Sequence, residues 1–93
     1  MNEFVPSEFY LGQNYPNPFK EGTTIKYCIA MKTKVKLIIL NSEGKLVREL
    51  ENEDKQPGTY QIKVDASSLL CGTYFYRLEA GDYLSEKKMV FQN

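Results

Sequence analysis

The sequence predicts an all-β fold, an antiparallel sandwich of about seven strands, on three observations: turn signals recur roughly every eight to fifteen residues, β-branched and aromatic runs fill the intervals, and those runs alternate with period two. No stretch carries the 3.6-residue apolar period of a helix. The 93 residues leave room for one modest core, because a chain of this size buries only about 60 to 65% of the surface its unfolded form exposes. A hydrophobic fraction of 42%, with seven Tyr and five Phe but no Trp, is that of an ordinary globular chain.

Residues 1–10 read as a tether and residues 11–93 as the domain. In Leu11 to Phe19, Pro16 and Pro18 fix φ, lack an N–H, and hold Tyr15 and Asn17 extended, which places this ribbon on a sheet edge. Two readings stand for it: a rigid recognition ribbon, or an edge cover whose Tyr15 and Phe19 close the bottom of the core. The second is favoured, since prolines protect edges and two aromatics bury large area. Thr23 to Ile29 puts Ile25, Tyr27 and Ile29 on one face; Thr33 to Asn41 puts Val35, Leu37 and Ile39 on one face and Lys34 and Lys36 on the other. Asn41 to Gly44 supplies a hairpin turn, with Gly44 free to take positive φ.

Lys45 to Leu50 is the returning strand. The polar stretch Glu51 to Gln56 reads as a solvated hairpin end leading to a type II turn at Pro57-Gly58. Tyr60, Ile62 and Val64 then alternate with polar residues. Asp65, with Ser67 and Ser68, caps a short helical turn that crosses between sheets. Gly72 to Glu79 is the most hydrophobic strand and is predicted to be central, with Tyr74, Tyr76 and Leu78 inward; Ala80-Gly81-Asp82 turns into the last strand, Tyr83 to Phe91. Tyr74 fits the corner tyrosine of an immunoglobulin or fibronectin III-like sandwich, whose hydroxyl bonds back to the preceding turn. It equally fits the role of one more buried aromatic.

Composition excludes several function classes. Lys plus Arg and Asp plus Glu both total 12, so no bulk charge favours nucleic acid or an anionic membrane. No apolar run approaches the roughly 20 residues of a spanning helix, and residues 1–8 lack the basic and apolar regions of a signal peptide. Without histidine, a Ser or Cys nucleophile has no usual base and zinc no nitrogen ligand. Cys28 and Cys71 form no C-x-x-C pair, and the parity of Cys28 with Thr24 and Lys26 argues against a bridge between them. The scattered glycines make no phosphate loop, and Glu49, Glu51, Glu53 and Asp54 lack calcium-loop spacing. Lys32, Lys34 and Lys36 share the polar face of one strand, which keeps it soluble or greets an acidic partner. No cofactor and no catalytic residue is expected.

In order, the chain carries L-G-Q-N-Y-P-N-P-F (Leu11 to Phe19, with Asn14, Tyr15, Pro16, Asn17, Pro18 and Phe19), T-I-K-Y (Thr24 to Tyr27) and Val35 to Val47 around Gly44. It continues with P-G-T-Y around Gly58, D-A-S-S-L-L-C-G-T-Y-F-Y-R-L with Asp65, Gly72 and Tyr74, and K-K-M (Lys87 to Met89). This series resembles the type A C-terminal sorting domain of type IX (Por) secretion cargo from Bacteroidota. It departs from the family at Lys20-Glu21, at Ala30-Met31 and at Cys71, and its tail is less basic. The resemblance implies a non-catalytic address at the end of a longer exported protein. The cargo, carried across the inner membrane by its own signal, would pass through the periplasm and then the outer membrane. The implied partners are the type IX machinery, its surface peptidase and the upstream cargo domain.

Within that picture the expected recognition element is the last strand, where a backbone edge is read together with Lys87, Lys88, Met89 and Phe91. For the two lysines a solvated strand end is the plain alternative. Asp65 and Gly72 are expected to act indirectly, by holding the fold. An accessory carbohydrate- or protein-binding module of immunoglobulin or fibronectin III type is the competing function, and an immunoglobulin-like insert of a flagellar hook-capping protein is a third.

Overall fold

Alternating β-branched and aromatic side chains favour a pleated, one-sided surface, and that preference builds every strand here. The computed structural model describes residues 6–92. Among them are seven strands and no helix: β1 (Tyr10–Leu11), β2 (Gly22–Ile29), β3 (Thr33–Asn41), β4 (Leu46–Lys55), β5 (Gly58–Asp65), β6 (Gly72–Ala80) and β7 (Tyr83–Phe91). They pair antiparallel in two sheets, one of order β1-β2-β5 and one of order β4-β3-β6-β7. The core lies between the sheets. Leu11, Ile25, Tyr27, Ile29 and Val64 enter it from the first sheet, and Val35, Leu37, Ile39, Tyr74, Tyr76, Leu78 and Met89 from the second. Each fully buried aliphatic side chain of this set stabilises the fold by about 1.5 to 3 kcal/mol.

The inward faces of β2, β3 and β6 follow the predicted parity, and β6 is an interior strand of the larger sheet. Ile38 and Leu40 are buried as well, on the outer face of β3. In the ladder Ile38 lies between Glu49 and Arg77, and Leu40 between Leu46 and Phe75, whose long side chains flank them. Both predicted hairpins form. Asn41 Oδ1 accepts from the N–H of Glu43 and of Lys45, with Gly44 at φ 84°, and Gly81 at φ 60° turns β6 into β7.

Three local expectations are corrected. The acidic run is not a solvated hairpin end, because β4 continues to Lys55. Glu51, Glu53 and Lys55 share one face of that strand, and Lys55 Nζ lies 3.3 Å from Glu51 and 3.0 Å from Glu53 while standing 5.0 Å over the ring of Tyr60. A strand can carry such charges when they satisfy one another. Pro57-Gly58 is not a type II turn: β4 and β5 belong to different sheets, so the chain crosses over instead of reversing, and Gly58 is absent from the positive-φ residues. The helical turn after Asp65 is a β-turn closed by Leu69 N–H on the Ala66 carbonyl at 3.1 Å, with Ser68 at φ 72°, a conformation that breaks a right-handed turn.

Of the tether expected over residues 1–10, residues 1–5 lie outside the described residues. Pro6 is buried, Phe9 stacks on Tyr83 at 5.5 Å, and Tyr10 pairs with Cys28 in β1.

Candidate functional site

A proline ribbon lacks ladder donors, so its remaining polar groups need partners from elsewhere. They find them on three elements. The Tyr76 hydroxyl, rising from the middle of β6, donates to the Gly12 carbonyl at 2.6 Å and accepts the Asn14 N–H at 2.7 Å. The Asn14 side chain is buried; its Nδ2 donates to Thr23 Oγ1 at 3.0 Å and to the Pro16 carbonyl at 3.2 Å, and Thr23 Oγ1 donates to that same carbonyl at 2.8 Å. Gln13 Nε2 donates to Asn14 Oδ1 at 2.6 Å. Burial raises the Tyr76 phenol to about 12, with the Asn14 N–H pulling the other way.

Up to Tyr15 the ribbon belongs to β2, exchanging two backbone bonds with Thr24. By Phe19 it belongs to β7. Phe19 N–H donates to the Val90 carbonyl and Gln92 N–H to the Phe19 carbonyl, both at 2.9 Å. Val90 N–H donates to Asn17 Oδ1 at 2.9 Å, and Gln13 Nε2 to the Lys88 carbonyl at 2.7 Å. The Phe19 ring, 1% exposed, stacks on Phe91 at 5.3 Å. The Tyr15–Pro16 and Asn17–Pro18 peptide bonds are cis. The hydrogen bonds carry the ribbon from one sheet to the other between its prolines and stitch the edges of both.

This geometry splits the edge of β7. Lys88, Val90 and Gln92 turn backbone groups outward to the ribbon, so by the two-residue period Leu84 and Glu86 turn theirs outward too. No backbone partner meets them among the described residues. Leu84 is 65% exposed beside this open half.

The expected recognition residues divide accordingly. Met89 is 0% exposed and Phe91 is buried, both belonging to the core. Their side chains are not available to a partner of the folded domain, and from that set only Lys87, half-buried, and Lys88, exposed, remain. Tyr15 corrects the edge-cover reading in part: Phe19 closes the core, but Tyr15 is 80% exposed.

The other motif residues hold turns away from the ribbon. Asp65 Oδ1 accepts from the N–H and hydroxyl of Ser67, bonds that hold its carboxyl below the usual range. Gly72, at φ 150°, opens β6 in a conformation L side chains rarely adopt, and the Tyr74 hydroxyl donates to the Leu70 carbonyl at 2.6 Å, the predicted corner bond. Gly58 begins β5. Cys28 and Cys71 are free thiols. Among the described residues no three Asp, Glu or Cys side chains converge on a metal position. Thr23 and Tyr76 were missed as partners of the motif, although a buried tyrosine hydroxyl usually finds one.

A family model described as the secretion system C-terminal sorting domain matches residues 13–92. The crystal structure of dimeric latent PorU from Porphyromonas gingivalis superposes with a TM-score of 0.68 over 98% of this chain at 20% identity, a likeness of fold. The chain spans 10% of that protein's length. No curated protein matches.

Proposed function

The chain belongs to the secretion system C-terminal sorting domains of type IX secretion, and from that premise we propose that the machinery reads it through the edge of β7 joined to the proline ribbon. The domain is a sorting signal for export to the cell surface or medium. In the proposed reading the residues ahead of Pro6 lead from an upstream cargo, residues 6–93 form the address, the cargo passes through the periplasm, and the surface peptidase that removes the domain is a second partner. The domain itself performs no catalysis.

The observation that carries the reading is the mutual locking of the two most distinctive sequence segments. The Gln13–Phe19 ribbon and the Lys87–Phe91 strand meet through Gln13 and Lys88, Asn17 and Val90, and Phe19 and Phe91. Half of the β7 edge is thereby sealed and half stays open at Leu84 and Glu86. A sheet edge with unpaired N–H and C=O groups accepts an extended segment by strand addition. Lys87 and Lys88 flank that open half and supply charge.

Glu86→Pro tests it, because the Glu86 N–H points away from β6 and proline at an outward edge position leaves the ladder intact. A reporter fused ahead of residues 1–93 is expected to reach the surface with the native domain and to stay in the periplasm with Glu86→Pro, the melting temperature being kept. Normal surface delivery of a folded Glu86→Pro fusion overturns the proposed edge.

A further inference from the structure

Three of the four sheet edges are protected over all or half of their length, each by a different device. β7 carries the ribbon over its C-terminal half, β1 is two residues long, and β4 is interrupted by two register shifts and bears Glu51 and Glu53. Such bulges, short edges and charges are how proteins prevent unwanted strand pairing. The fourth edge, β5, pairs with β2 in unbroken register from Gly58 to Asp65.

The direction of its free groups follows from the ladder. Lys26 and Thr24 of β2 bond to the Gly12 and Tyr15 side, so Thr23, Ile25, Tyr27 and Ile29 bond to β5, through Val64, Ile62, Tyr60 and Gly58. Thr59, Gln61 and Lys63 therefore direct both backbone groups outward, and no backbone partner meets them among the described residues. Only the Asp65 carbonyl is taken, by Arg48 at 3.1 Å. The smaller sheet is also one strand narrower than the larger one. Tyr60 and Ile62, on the core face of β5, are left only half-buried.

We propose that β5 is a strand-accepting site for an extended basic segment of a partner protein, which completes the smaller sheet as its fourth strand. The charges beside the lane choose the occupant. Lys55 is shared by Glu51 and Glu53 next to Tyr60, so one ammonium answers two carboxylates and a cation on the incoming strand finds the unanswered charge. A second copy of this chain is disfavoured, because pairing β5 with β5 brings two acidic β4 strands alongside each other. Ile62 and the Glu51 and Glu53 carboxylates all face the space between the sheets, so the segment carries an apolar side chain toward Ile62 and a lysine or arginine toward Glu51 and Glu53 on one face, two residues apart. The site is separate from the β7 edge and does not depend on how the sorting machinery engages it.

The test uses residues 1–93 and two end-blocked hexapeptides, one with valine and lysine two residues apart on a single face and threonine between them, and one with glutamate in place of the lysine, followed by amide hydrogen exchange. The lysine peptide is expected to slow exchange at Thr59, Gln61 and Lys63 by about tenfold or more and to leave Leu84 and Glu86 unchanged, while the glutamate peptide gives no protection. Gln61→Pro removes an outward N–H without touching the ladder and is expected to abolish the protection. Glu51→Gln with Glu53→Gln, which keeps the backbone edge, is expected to erase the preference for lysine. Equal protection by both peptides, protection appearing at Leu84 and Glu86 instead, protection of β5 that rises with protein concentration alone, or none at all overturns the proposal.

Discussion

A single hydroxyl joins the centre of the larger sheet to the opening motif. Tyr76 Oη serves the Gly12 carbonyl and the Asn14 N–H in a buried setting, and Tyr76→Phe strands both backbone groups without leaving a large void. An unsatisfied buried polar group costs about 1 to 3 kcal/mol, so the variant is expected to lose roughly 2 to 4 kcal/mol of stability, read from urea denaturation midpoints. Tyr15→Phe makes the same chemical change on an exposed ring and is expected to stay within about 0.5 kcal/mol of the native chain. Equal losses in the two variants count against the hydroxyl as the lock. At this scale the sequence was half legible. The corner bond of Tyr74 follows from its place four residues after Leu70 and two after Gly72, a local relation, whereas Tyr76 meets Asn14 across 62 residues of chain, a distance no local pattern encodes.

Among the elements, β2, β3, β6 and β7 were readable because their inward faces keep strict alternation. β4 was readable only as far as Leu50, because its continuation to Lys55 depends on charges that cancel only once Lys55 lies between Glu51 and Glu53. The ribbon was readable as an edge cover from its prolines, but which edge it covers depends on the strand order, and the order is decided by long-range packing. Its attachment to β7 rests on Phe19 as much as on hydrogen bonds, since Phe19 fills the space beside Phe91. Truncating a buried phenylalanine costs about 3 to 5 kcal/mol, and Phe19→Ala is expected to fall in that range by thermal or urea unfolding. The same variant is expected to speed amide exchange at Val90 and Gln92 well before it does so at Leu37 or Tyr76. Uniform acceleration across all four sites would mean that the ribbon does not open as a local unit.

For the molecule as a whole, period two and the spacing of turns were enough to give an all-β sandwich or barrel, because a chain of 93 residues buries that much one-sided strand by stacking sheets or closing one on itself. What they left open was the three-to-four division of strands and hence which edges face outward. The same division places a buried tyrosine in each sheet, Tyr27 in β2 and Tyr76 in β6, and burial raises both phenols to about 12; at Tyr27 the Glu51 carboxylate adds to the effect. Lys55 is shifted upward by its two glutamates. All three groups hold protons more tightly when folded than when unfolded, where a tyrosine ionises near 10. Their contribution is complete below about pH 10 and is lost as pH rises toward 12, where the unfolded chain binds fewer protons than the native one. Denaturation midpoints are therefore expected to fall steeply between about pH 10 and 12, with Tyr76→Phe, already less stable, showing a shallower fall because one of the three linked protons is gone. Tyrosinate absorbance provides the independent check: two rings are expected to ionise only as the fold is lost. A native chain whose tyrosines all titrate before any change in midpoint would break the link between burial, proton affinity and stability.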